Sequence, residues 1–187
     1  MVYNNNMSGG FHYRSLLKLS SGEQVTLNQI TSNLIKNIPV YVQGNMDGFE
    51  CDVEIEKIVC TEYIEQTFYK IGDCLLTKNH PIFYNMSWHH PHTIAYDTIK
   101  SDNGYLFNVI LKKVDGIRGQ SIYVNDQLCV CLGHGIENDP VASDPFWGSE
   151  TIVNKLESRY GNKPYIKTNF MCIRSSETGF TTNVEFI

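Results

Sequence analysis

Along most of the chain, apolar side chains recur at every second position. The stretch "DVEIEKIV" (residues 52–59) alternates apolar and charged residues, the period of a strand with one wet face. From Arg14 the chain reads "RSLLKL", "SSGE", "QVTL", which predicts two short strands around a glycine-containing turn. "TFYKI", "CLLT", "PIFY", "YLFNVILKKV" and "SIYVNDQLCVCL" follow. They are rich in β-branched and aromatic residues, are read as separate strands, and are punctuated by Gly, Asn, Asp or Pro. Helical periodicity is scarce. It surfaces late, in "GSETIVNKLESRYG", with Ser149 as N-cap, Glu150 in the first turn, Ile152, Val153 and Leu156 on one face, and Gly161 as the stop. The expectation is an all-β domain with one short helix towards its C-terminal end.

With 187 residues, 42% of them hydrophobic, the chain suits a single domain with a proper core. Fifteen basic against twenty acidic side chains give a net charge of -5, spread without runs, so no electrostatic footprint for nucleic acid exists. No stretch approaches the roughly 20 apolar residues a bilayer span needs, and "MVYNNNMSGG" lacks the basic start and apolar run of a secretory signal. The expectation is a soluble, cytoplasmic protein. Cys51, Cys60, Cys74, Cys129, Cys131 and Cys172 lie in apolar, strand-like runs, which fits reduced, buried thiols in such a compartment.

The candidate chemistry begins with "CLLTKNHP" (residues 74–81). Pro81 fixes its own φ and pushes His80 out of the helical region, so Thr77 and His80 lie at a strand end or in a loop and are offered together at the mouth of a sheet. A purely structural account is also available: a histidine bonded to a backbone carbonyl and a threonine chosen for strand propensity. In "CVCLGHG", Cys129 and Cys131 share one strand face and His134 sits between two glycines. "WHHPH" places His89, His90 and His92 close together, which suggests zinc with Cys74 or His80 as a further ligand. No CxxC or HxxxH partner pair accompanies it, so it is read as a surface loop, with no metal and no cofactor expected. A papain-like cysteine hydrolase is disfavoured because no cysteine stands at a strand-to-helix junction.

Several patterns fall in one order: "GGFH", "LLKLSSGEQV", "LLTKNHPIF", "YLFNVIL", "VNDQLCVCLGHG", "DPFWGSETIVNKLE" and "CIRSSETGF". From about Gly9 to Phe180 this series resembles the Hint (hedgehog/intein) superfamily, most closely its Vint branch. The resemblance implies an all-β, Hint-type pseudo-two-fold horseshoe. It also implies self-processing: an N-terminal cysteine or serine attacks the carbonyl before it, converting an amide into a thioester by an N-to-S acyl shift. The fold must strain that peptide, position the nucleophile, protonate the departing nitrogen and stabilise an oxyanion. Carried over by position, Thr77 and His80 flank the scissile peptide, His80 as proton donor or as the group that twists the amide. Cys131 and His134 lie near the nucleophile, although buried thiols and a turn histidine account for them equally. The substrate is the chain's own upstream segment. U-box and von Willebrand A neighbours in related proteins suggest, by analogy alone, a ubiquitin-related or assembly partner.

The family start is glycine, then cysteine, then often "FH". Here Phe11 and His12 supply the pair, which puts Gly10, without a side chain, in the nucleophile's place. Ser8 is the nearest hydroxyl, but it lies early by roughly 7–10 Å of extended chain. The implied organisation is an upstream stub over residues 1–9 and a Hint domain over residues 10–187. The family's strand histidine corresponds to Gln120 or Ser121, its "NG" to Asn125-Asp126, and a later histidine to Asp144. A decayed self-processing domain and a deliberate substitution both account for Gly10; the scattered departures favour natural divergence. Either way the chain is expected not to cleave itself. The alternative function is a non-catalytic Hint-fold module that binds or scaffolds another protein.

Overall fold

A computed structural model describes residues 9–187. In chain order the elements are β1 (Phe11–His12), β2 (Leu16–Lys18), β3 (Gln24–Thr26), α1 (Leu27–Ile35), β4 (Tyr41–Met46), β5 (Phe49–Ile71), β6 (Cys74–Leu76), β7 (Ile82–Tyr84), β8 (Ser87–His89) and α2 (Pro91–Ile94). They continue as β9 (Asp97–Leu111), β10 (Lys113–Val114), β11 (Ile117–Arg118), β12 (Ser121–Val124), β13 (Gln127–Val130), α3 (Glu150–Tyr160), β14 (Tyr165–Lys167), β15 (Phe170–Arg174) and β16 (Thr181–Phe186). The domain is mostly β, with the main sheet ordered β6-β1-β9-β5-β4-β12-β13-β7-β8.

The organising element is β5. Its 23 residues join "DVEIEKIV" and "TFYKI", read above as separate strands, into one. Between them lies "CTEYIEQ", which contains no Gly, Pro or Asn to break the chain, and β9 runs antiparallel beside it from Ile55 to Lys70. A bulge in that pairing between Ile55 and Lys57 changes the phase of the alternation. Before it Val53 and Ile55, and after it Ile58 and Cys60, face the same main core, while Val59 joins Ile110 in a second core. One strand thus serves both, and its Tyr63 and Phe68 form a third, smaller cluster with Leu106. The second is closed by Ile152, Val153 and Leu156 of α3, Ile166 of β14, and Phe170 and Val184 of the β15–β16 hairpin.

Helix α3 forms as its sequence predicts. Ser149 caps it through the Thr151 N–H, Glu150 sits in the first turn, and Gly161 ends it at φ 65°. Strands β14, β15 and β16 follow it, in the tail whose strand-like pieces the sequence also shows. Helix α1 was not expected: its β-branched residues favour strands, yet Thr26 and Gln29 form a reciprocal capping box and Leu27, Ile30 and Leu34 bury one face. Expected as a surface loop, "WHHPH" instead spans β8 and α2. His89 Nε2 pairs with Ser87 Oγ, and the His92 Nδ1 pairs with the Lys78 carbonyl. Among the described residues no helix is long and apolar enough to cross a membrane.

The β12–β13 hairpin turns on Asn125 and Asp126, both at positive φ (45° and 63°). This is the two-residue geometry that favours Asn-Gly. Asp126 holds it at a steric cost that glycine avoids. Asp126→Gly is therefore expected to raise stability by about 0.5–1 kcal/mol, read as a higher denaturation midpoint at unchanged slope.

Candidate active site

Strand β1 is two residues long and lies between β6 and β9. Phe11 pairs with Leu76 on one side and Phe107 on the other, and His12 pairs with Leu106. Continuing that register one step upstream sets Gly10 beside Thr77 and Asn108. The Thr77 N–H donates to the Gly10 carbonyl at 3.0 Å. In return the Gly10 N–H donates to Thr77 Oγ1 at 2.9 Å. The preceding carbonyl, that of Gly9, accepts from Asn108 Nδ2 at 2.7 Å. Both polar groups of the Gly9–Gly10 peptide are therefore held by side chains, one from β9 and one from the residue after β6. Neither glycine has a positive φ, and no cis peptide occurs among the described residues.

His80 stands against this peptide at 4% exposure. Its ring Nε2 lies 3.0 Å from the Val130 carbonyl. Because a carbonyl only accepts, Nε2 carries the proton in the neutral ring and Nδ1 keeps its lone pair. Burial, followed by the nearby His134, pushes the His80 pKa down, against the Val130 and Gly9 carbonyls, to about 4. The edge of Phe11 packs on the ring, with centroids 5.8 Å apart. The Val130 bond is the one the purely structural account of His80 foresees. It coexists with the position beside the junction.

His134 is also buried, and burial lowers its pKa to about 4. Its Nδ1 accepts from the Ile136 N–H at 2.9 Å, so Nε2 again carries the proton. Gly148 makes room for it: a Cβ there would sit 2.7 Å from the ring. Cys131 is 2% exposed, and burial raises its thiol far above the ordinary range, which leaves it protonated. A cavity of about 350 Å³ joins these groups, lined by Gly9, His80, Asn108, Cys131, His134 and Trp147 among others. Thus Thr77 bonds both Gly10 and the His80 N–H, His80 lies against Gly9, and His80, Cys131 and His134 line the same cavity.

Asn108 is the site residue that sequence reasoning missed. It is 2% exposed in the middle of "YLFNVIL". A lone amide inside an apolar strand core is the signal that could have found it. Asp144, at the family's histidine position, instead accepts from the Phe146 and Trp147 N–H groups and shapes the turn leading into α3. Gln120 Oε1 accepts from the Gly48 N–H, away from the junction. Ser8 lies outside the described residues. No group of three or more His, Cys, Asp or Glu side chains is arranged to hold a metal among the described residues.

Residues 9–183 match the Vint family, described as a Hint-domain, and the chain belongs to that family of Hint/intein-type self-processing domains. Its fold is similar to that of a KlbA intein precursor from Methanococcus jannaschii, with TM-score 0.50 and 14% identity over 72% of this chain and 97% of that one. A DnaB intein from Synechocystis (TM-score 0.48, 12% identity, 66% of this chain and 99% of that one) is also similar. So is a bacterial intein-like domain from Clostridium thermocellum, with TM-score 0.48 and 10% identity over 67% of this chain and 99% of that one. Comparison with curated protein sequences gives no match.

Two histidines held neutral by burial make stability depend on pH. Between the ordinary value of 6.5 and the native value of about 4 the unfolded chain binds the extra protons. Their contribution is complete above pH 6.5 and lost as pH falls towards 4, by up to about 1.4 kcal/mol per pH unit for each ring. Denaturant midpoints measured from pH 7 to 4.5 should fall steeply, and the double variant His80→Gln, His134→Gln should flatten that fall.

Proposed function

We propose that the Gly9–Gly10 peptide is the junction of an N-to-S acyl-shift site, and that this chain stays uncleaved because Gly10 offers no nucleophile. The carrying observation is the two-sided hold on that peptide, with Asn108 Nδ2 on its carbonyl and Thr77 Oγ1 on its N–H. The substrate is the chain's own upstream segment, residues 1–9, and residues 10–187 form the processing domain.

With a cysteine at position 10, the neutral His80 would take the thiol proton at Nδ1. The thiolate would attack the Gly9 carbonyl carbon, and Asn108 would stabilise the oxyanion. Collapse breaks the C–N bond and forms the thioester, and the imidazolium returns its proton to the Gly10 nitrogen. His80 so acts as base first and proton donor second. A ring pKa of about 4 makes the imidazolium a stronger acid than ordinary histidine, which favours expulsion of the amine. Thr77 holds the departing nitrogen in line. In this reading Cys131 and His134 shape the cavity beside the carbonyl and take no covalent part. The protonated Cys131 thiol supports that assignment.

Gly10 also supports the second reading, a Hint-fold module retained for binding, with a ubiquitin-related partner suggested by analogy. Cys51, Cys60, Cys74, Cys129 and Cys131 are free thiols, which supports a reducing, cytoplasmic setting.

Mass spectrometry after incubation with dithiothreitol or hydroxylamine tests the proposal. The chain as it stands should remain intact, and Gly10→Cys should release residues 1–9. In that background His80→Ala should slow release by about 10²- to 10⁴-fold and Asn108→Ala by about 10²- to 10³-fold. An inert Gly10→Cys chain would overturn the self-processing reading and leave the binding module.

A further inference from the structure

We propose that the outer face of the β12–β13–β7–β8 sheet is a docking surface for a basic, partly apolar peptide segment of another protein. This surface shares no lining residue with the cavity at Gly9, so the inference goes beyond the self-processing reading and stands apart from it.

The four strands set one row of side chains in register. Tyr123 of β12 pairs with Leu128 of β13, Leu128 with Phe83 of β7, and Phe83 with Trp88 of β8. Alternation sends their neighbours the other way: Ile122, Val124, Cys129 and Ile82 enter the main core. None of the four residues in the row belongs to a hydrophobic cluster of the described residues. Phe83 is 38% exposed, and Trp88 packs edge-on against it with ring centroids 5.2 Å apart. Strand β8 ends the sheet, so no strand lies beyond Trp88. An outer face that met only water would carry polar residues here. Three aromatic rings and a leucine make it an uncovered apolar strip instead. Strands roughly 4.8 Å apart give that strip a length of about 14 Å, or roughly four to five residues of extended chain.

The groove over this row, about 740 Å³ in volume, has walls that decide its occupant. Asp47, Glu50, Asp126 and Glu137 line it, and no Lys, Arg or His among the described residues does. Asp126 has one loose partner, Lys18 at 3.9 Å, and Glu50 accepts from the Tyr123 hydroxyl. Asp47 and Glu137 are exposed and form no ion pair among the described residues. Carboxylates around aromatic faces favour a cation twice, by charge and by the ring quadrupole, and the apolar stems of Lys and Arg suit the strip itself. The same charge argues against other occupants. It repels nucleic acid and a second copy of this chain, whose net charge is -5, and residues 1–8, "MVYNNNMS", carry no Lys or Arg.

The test adds a capped Arg-Val-Arg-Val-Arg-Val-Arg peptide to the isotope-labelled chain and follows the indole N–H signals by nuclear magnetic resonance. The Trp88 signal should move saturably and less at high salt, while that of Trp147, bonded to Thr181 Oγ1, should stay. The Glu-Val-Glu-Val-Glu-Val-Glu counterpart should move neither. Asp47→Asn combined with Glu137→Gln should weaken binding by about 3- to 10-fold. Trp88→Ala, read from the Leu128 amide, should weaken it by about 10- to 30-fold. An unmoved Trp88 signal, equal binding of the Glu peptide, or an unchanged Kd in the double charge variant would each overturn the inference. So would movement of the Trp88 signal with protein concentration alone, which would assign the face to a second copy. Should circular dichroism show Trp88→Ala unfolded, the charge variant, whose two side chains are exposed, decides the matter. None of these outcomes depends on whether the Gly10→Cys chain cleaves.

Discussion

A buried peptide group has to find hydrogen-bond partners, and the arrangement around Gly9–Gly10 follows from that requirement. Strand β1 is too short to complete a ladder, so the peptide preceding it cannot rely on backbone partners alone. Thr77, the residue after β6, supplies both its own N–H and its hydroxyl to Gly10, while Asn108 reaches from β9 to the Gly9 carbonyl. These bonds depend on β1 being inserted between β6 and β9 in one register. That register in turn depends on the long β5, which pairs with β9 along most of its length and with β6 at its end. The architecture thus converts a long antiparallel ribbon into a socket for one peptide bond.

The part of this that could be read from the sequence is the part carried by short-range chemistry. Pro81 determines that His80 cannot be helical, and the Thr77–His80 spacing therefore predicts two side chains offered at a strand end. The alignment of "GGFH" puts Gly10 where the family start carries its cysteine. The cap, acidic first turn and glycine stop of α3 were equally plain. What was not legible depends on tertiary partners. Asn108 has no local motif, and its meaning appears only when β9 lies beside β1. Helix α1 carries a capping box, but its β-branched residues mask it, and burial of Leu27, Ile30 and Leu34 decides the matter. The continuity of β5 through "CTEYIEQ" is set by fourteen pairings with β9 that no window of single-chain propensity contains.

Burial gives the histidines of the cavity a shared character. His80 and His134 are both neutral at physiological pH, and each has its proton placed on Nε2 by a backbone partner of the other nitrogen or of Nε2 itself. For His134 this is a packing solution, with Gly148 giving up its side chain to admit the ring. For His80 the same device leaves Nδ1 as the basic atom beside a peptide bond. Desolvation dominates the shift in both rings, so what would make His80 the reactive one on the proposed reading is its address.

The two glycines of the Gly9–Gly10 peptide have different neighbours. At position 9 an added Cβ would press on His80, 3.0 Å from its Cβ and 3.1 Å from its Cα. At position 10 the φ is ordinary and the neighbours are a carbonyl oxygen, a movable amide and one leucine carbon, so the surroundings do not require glycine. On the proposed self-processing reading, the missing nucleophile at Gly10 would not reflect a collapsed site. The partners a nucleophile would need, an oxyanion donor on Gly9, an acceptor for the Gly10 N–H and a neutral imidazole, stand in contact with the peptide. Asn108 is an amide buried within an apolar strand, and its bond to the Gly9 carbonyl offsets part of the cost of burying it, while its Oδ1 has no hydrogen-bond partner among the described residues.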